Sequence, residues 1–245
     1  FLDTMLARAK ADKQTIVLPE GDDPRTLEAA ETILAQDVAN LIILGNVEAI
    51  KESGRKLDGA TLIDPQGSDL HDEFANTLYE LRKHKPNTLE KAAEQVRDEL
   101  FFGVLMVKTG RADGMVSGAC HSTGDVLRPS LQILKTAPGV KLVSSFFIMV
   151  VPNCEYGQNG TFLFSDCGLE IQPDAEKLAH IAVNSAQSWK TLIGTEPVVA
   201  MLSHSTYGSA KNDDANKVVE AAAIAREVLG DDVRISISSE IGSMG

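Results

Sequence analysis

Short apolar runs alternate along this chain with segments of helical spacing, and that alternation restricts its fold more than any other feature. TIVLPEG (15–21), LIILG (41–45) and TLID (61–64) have the length and apolar character of buried strands. Asp23-Pro24 opens an intervening helix through Leu27, Ala30, Ile33 and Leu34, and a shorter helix is expected near Val47 to Glu52. Strands joined through helices run parallel, so these segments read as two β-α-β units and the chain as α/β.

The same reading carries through the rest of the chain. Residues 69–109 are expected to form two long amphipathic helices, one through Phe74, Leu78 and Leu81, the other through Leu89, Ala93, Val96, Leu100 and Val104. GMVSG (114–118) reads as a strand, Leu127 to Lys135 as a helix, and residues 141–152 and 161–168 as strands around the Gly- and Asn-rich turn NCEYGQNG. A helix is expected from Asp174 to about Leu192, then a strand in PVVAMLSHST, a helix over 213–229 and a last strand in VRISIS. The Pro138-Gly139 break divides a first α/β domain, 1–139, from a second, 140–245.

The 245 residues carry a net charge of -12, which removes the basic footprint that sequence-independent nucleic-acid binding or an anionic membrane surface requires. No apolar run approaches a membrane span. Cys120, Cys154 and Cys167 are odd in number and make no C-x-x-C pair, so neither a disulfide framework nor a zinc cluster is indicated, and a reducing cytoplasm is expected. The acidic residues and the five histidines show no metal-ligand spacing, so no metal site is expected.

Chemistry concentrates in DGMVSGACHSTGDVLRPSLQILKTAP, residues 113–138. Ser117, Gly118, Ser122, Thr123 and Gly124 lie between a strand and a helix, with Arg128 beside Pro129. Glycines admit a close ligand, amides at a helix start carry partial positive charge, and hydroxyls with a guanidinium complete the coordination of a phosphate. Read without a ligand, the same stretch is an ordinary strand-to-helix turn. PEGDDPR, FSDCG and LSHSTYGSAK also follow strands, and in open parallel sheets ligands bind beyond the carboxyl ends of strands. Four such loops converging on one cleft would make an enzyme.

VLPEGDDPRTLEAA, YELRKHK, the 113–139 stretch, SSFFIMVVPNCEYGQNGTFLFSDCG and VAMLSHSTYGSAK resemble the phosphate acetyl/butyryl transferase family over residues 1–232. The resemblance implies two α/β domains with a cleft between them, isocitrate dehydrogenase-like, with mostly parallel sheets flanked by helices. It also implies a homodimer, and reversible acetyl transfer between CoA and phosphate by direct attack in a ternary complex. CoA, acetyl-CoA, phosphate and acetyl phosphate would be substrates, with no permanently bound cofactor. Arg128 matches an arginine near the phosphates, Arg82 a second one implicated in CoA binding, and Ser122 and Thr123 the phosphate-facing hydroxyls. Ser144, Ser145, Ser205 and Thr206 are candidates for the opposite wall, and His121 and Cys154 lie near the family's active site. Asp166 reads as a structural carboxylate. The family's base is expected in a C-terminal segment that would complete the first domain and that these 245 residues do not show. The catalytic residues are therefore unassigned here, and the chain as printed is expected to lack full activity. Butyryl transfer and a non-catalytic acyl-CoA-sensing domain are the alternatives.

Overall fold

Successive side chains of the first two strands enter different cores, which explains why their sequences are apolar throughout rather than alternating. In the computed structural model, which describes residues 1–204, 212–231 and 233–238, two compact units are formed, Phe1–Lys135 and Thr136–Gly245. That division falls just ahead of the Pro138-Gly139 break.

The first unit runs α1 (Leu2–Ala11), β1 (Thr15–Leu18), α2 (Pro24–Gln36), β2 (Asn40–Leu44), α3 (Val47–Glu52), β3 (Thr61–Ile63), α4 (His71–Arg82), α5 (Leu89–Gln95), α6 (Glu99–Lys108), β4 (Gly114–Met115) and α7 (Thr123–Ile133). Its four strands are parallel in the order β3-β2-β1-β4. Leu18 of β1 and Leu41 and Ile43 of β2 pack with Leu27, Ala30 and Ile50 on the side of α2 and α3. Val17, Ile42 and Leu44 pack on the other side with Phe74, Leu78, Phe102 and Ile133. Phe74 and Phe102 are fully buried and meet edge to face, their centroids 4.8 Å apart. Truncating either ring to Ala would cost about 3–5 kcal/mol. Helix α6 is apolar on all sides, and Gly103 lets it approach the sheet: a Cβ there would lie 2.8 Å from Met115 Sδ.

Two expectations are corrected here. Residues 69–109 form three helices rather than two, because the Thr88 hydroxyl and the Asp98 carboxylate each cap a new start, Asp98 accepting from the Leu100 and Phe101 amides at 2.9 and 3.1 Å. Helix α7 begins at Thr123, ahead of the expected Leu127, because Ser122 and Asp125 form a capping box. Pro129 consequently lies inside the helix.

In the second unit β5 (Phe146–Val150) and β6 (Thr161–Ser165) pair antiparallel, followed by α8 (Ala175–Ile193), β7 (Val198–Leu202), α9 (Asp213–Leu229) and β8 (Arg234–Ser238), with β7 parallel to β8. The β5 strand is shorter than the 141–152 run suggested. Small residues let α8 and α9 approach closely, Ala179 and Ala182 facing Ala221, Ala222 and Ala225. Among the described residues, no helix is long and apolar enough to cross a membrane.

Candidate active site

In the first sheet β2 lies on one side of β1 and β4 on the other, so chain order reverses between β1 and β4. Loops leaving the carboxyl ends of such a strand pair diverge and open a crevice. The two that leave here are residues 19–23 and 116–122. Gly21 keeps the first tight against the sheet: its amide donates to the Leu44 carbonyl at 3.0 Å, and a Cβ would lie 2.4 Å from that same oxygen.

Glu20 joins the two loops. The residue is 2 % exposed. The amides of Gly118 and Ala119 donate to Oε2, both at 2.9 Å. Those of Cys120 and His121 donate to Oε1 at 3.0 and 3.1 Å, and His121 Nδ1 lies 2.8 Å from Oε1. Burial alone would raise the carboxyl pKa, but the Cys120, Ala119 and Gly118 amides together with His121 outweigh it and hold it at about 2. An ionised carboxylate only accepts, so Nδ1 of His121 carries the proton. Beside it, Asp23 caps α2 through the Arg25 amide and binds the Arg25 guanidinium at two points, 3.0 and 2.7 Å. That pairing brings its pKa to about 2. Arg25 also donates to the Ala119 carbonyl, tying α2 to the second loop.

The anion cradle anticipated over residues 117–124 is thus wired differently. Four of its amides hold an internal carboxylate. The Ser122 hydroxyl donates to Asp125 at 2.6 Å and accepts from the Asp125 amide at 3.3 Å; these bonds lower the pKa of Asp125. Thr123 and Gly124 are exposed at the start of α7, where the first amides precede any intrahelical acceptor, and Arg128 is exposed further along the same helix. Arg128 is 66 % exposed and 3.9 Å from Asp125. Arg82 ends α4, which packs against α7, and is half-buried.

The remaining candidates belong to the second unit. Ser145 is held by Asp166, its amide and hydroxyl donating to the carboxylate at 2.9 and 2.8 Å while Oγ accepts from the Cys167 amide. Asp166 also receives the Gly168 and Leu169 amides. Burial opposes its ionisation, yet the Leu169, Gly168 and Ser145 amides bring its pKa to about 2. Its role is to fix a loop, as its sequence suggested. Asn184 donates to the Ser144 hydroxyl at 3.5 Å. Cys154 is half-buried in the turn between β5 and β6. Ser205 and Thr206 lie outside the described residues.

Sequence reasoning did not single out Glu20 or Arg25; it read Asp23 as the opening of a helix, which its capping of α2 bears out, and Cys120 only among the three cysteines. The position of Glu20 at a strand end, directly before a glycine, was the available signal; its partners about a hundred residues away were not readable.

Comparison with known proteins gives one consistent result. The family model described as "Phosphate acetyl/butaryl transferase" matches residues 1–233. A phosphate acetyltransferase of Thermoanaerobacterium thermosaccharolyticum is 52% identical over 243 residues, 98% of this chain and 73% of that protein. One from Acetivibrio thermocellus is 52% identical over 229 residues, 93% of this chain and 69% of that protein. Among solved structures, a phosphotransacetylase from Streptococcus pyogenes superposes with a TM-score of 0.87 at 38% identity, covering 96% of this chain and 70% of that one.

Proposed function

This chain belongs to the phosphate acetyl/butaryl transferase family, and from that membership we propose that it transfers acetyl groups reversibly between CoA and inorganic phosphate. In one direction the CoA thiolate attacks the carbonyl carbon of acetyl phosphate. The tetrahedral oxyanion collapses, the bond between the carbonyl carbon and the bridging oxygen breaks, and phosphate leaves with that oxygen and the electron pair. The protein's task is to hold phosphate at a fixed angle and stabilise the oxyanion. The observation that supports the reading beside that membership is the exposed start of α7 at the sheet's switch point, with Thr123 and Gly124 exposed there and Arg128 exposed further along the helix. No described residue is assigned as the base that takes the thiol proton.

Acetyl rather than butyryl transfer follows the names of the 52% identical relatives, and acetyl-CoA against butyryl-CoA turnover tests it. We read the functional form as a cytoplasmic homodimer, consistent with three free cysteines; sedimentation of the intact gene product tests the dimer. The central experiment is phosphate-dependent CoA release from acetyl-CoA by the intact gene product and its Arg128→Ala variant. Losing a charged hydrogen bond of about 1.5–3 kcal/mol lowers kcat/KM by roughly 10- to 150-fold. A variant within twofold of wild type removes Arg128 from the site, and a wild type without acetyl transfer removes the function.

A further inference from the structure

Glu20, Cys120 and His121 place three unlike metal-ligating atoms within 4.8 Å of one another. Cys120 Sγ lies 3.5 Å from Glu20 Oε1 and 3.6 Å from His121 Nδ1, and Nδ1 lies 2.8 Å from Oε1. A tetrahedral zinc ion, with Zn–S of about 2.3 Å and Zn–N and Zn–O of about 2.0–2.1 Å, requires S···N and S···O edges of about 3.6 Å and an N···O edge of about 3.3 Å. Two of the three edges are already met. The third is short because a proton bridges it, and opens by about half an ångström when an ion takes that proton's place.

We propose that Glu20 Oε1, Cys120 Sγ and His121 Nδ1 bind one thiophilic divalent cation of the zinc class, with water as the fourth ligand. The carboxylate is preorganised: the amides of Gly118, Ala119, Cys120 and His121 fix both its oxygens, the outer-shell support that metal ligands need. The entry path is open, since Cys120 is exposed and the His121 side chain is 31% exposed. Binding releases the Cys120 thiol proton to solvent, and the Nδ1 proton is exchanged through solvent to Nε2. The cluster then passes from one net negative charge to neutrality. Asp22 and Asp23 add to the negative field at the thiol; the Arg25 guanidinium opposes it but is paired to Asp23. That negative field attracts a cation. Magnesium and calcium are excluded as occupants because they require more oxygen donors than the cluster supplies.

The test is titration of the intact gene product with Co²⁺, following the thiolate-to-cobalt absorption in the near ultraviolet. The band should saturate at one ion per chain, disappear on adding one equivalent of Zn²⁺, and persist in excess Mg²⁺. It should be absent in Cys120→Ser and retained in Cys154→Ser and Cys167→Ser. His121→Gln should weaken binding at least ~10-fold. In the wild type, Zn²⁺ should protect Cys120 but not Cys154 from alkylation, a readout that needs no variant to fold. Absence of the band, its survival in Cys120→Ser, displacement by Mg²⁺, or unchanged alkylation of Cys120 under Zn²⁺ overturns the proposal.

Discussion

Replacing Glu20 with glutamine keeps the shape of the side chain and removes its charge. The carboxylate accepts four backbone amides and the His121 ring. A glutamine supplies one acceptor oxygen and turns an NH2 group toward the amides that the other oxygen held. Two donors then lose their partner at about 1–3 kcal/mol each, near the lower end where water can reach the loop. Proton linkage expresses the same hydrogen bonds as a dependence on pH. The pKa falls from 4.5 to about 2 on folding, and about 1.4 kcal/mol per unit makes this roughly 3 kcal/mol. Because the folded value is the lower one, the stabilisation is complete above the unfolded value and is lost as pH falls from about 5 toward 2. Urea unfolding followed by far-ultraviolet circular dichroism should show Glu20→Gln destabilised by about 2–3 kcal/mol at pH 7, with the gap to wild type closing in acid. Hydrogen exchange should show lost protection at residues 118–121. Trp189, the only tryptophan, sits in α8 and reports on the other unit. A destabilisation below about 1 kcal/mol at pH 7, or a gap independent of pH, would refute the reading of Glu20 as the anchor of this loop.

Two further substitutions test neighbouring inferences. Gly21→Ala sets a Cβ 2.4 Å from the Leu44 carbonyl oxygen, so the 19–23 loop must lift from the sheet at a cost of about 1–3 kcal/mol, read as a lowered Tm. Ser145→Ala removes a hydroxyl that donates to Asp166 and accepts from the Cys167 amide. Stability should fall by about 1–2 kcal/mol while KM for phosphate stays within twofold; a large KM change with unchanged stability would make Ser145 a substrate ligand instead.

Local signals in the sequence sufficed for the parallel sheet of the first unit, and failed wherever a bond spans the fold. The runs at 15–18 and 41–44 are apolar throughout because each feeds two cores, a property of the residues themselves. Ser122 and Asp125 carry the spacing of a capping box, and Thr88 and Asp98 had capping chemistry that the apolar periodicity of residues 89–104 concealed. Glu20 is different: its acceptor role depends on β4 lying beside β1, and only tertiary structure establishes that. Ser145 and Asp166 fall between these cases. Pairing of Phe146 with Ser165 puts them opposite one another, so the hairpin register, which the sequence does not give, accounts for the bonds between Ser145 and Asp166.

The charges at the junction also separate its two arginines. Glu20, Asp23 and Asp125 are three carboxylates with lowered pKa values around one crevice, so an entering phosphate meets opposition that only mobile positive charge can offset. Arg25 binds Asp23 at two points and the Ala119 carbonyl as well, and changing its partner means breaking a bidentate, charge-assisted pair. Arg128 faces Asp125 at 3.9 Å and is 66 % exposed, a contact of the kind that contributes about 0–1 kcal/mol. It can turn to a phosphate while giving up almost nothing, and the same turn relieves Asp125 of no essential partner, because Ser122 continues to hold that carboxylate in the capping box.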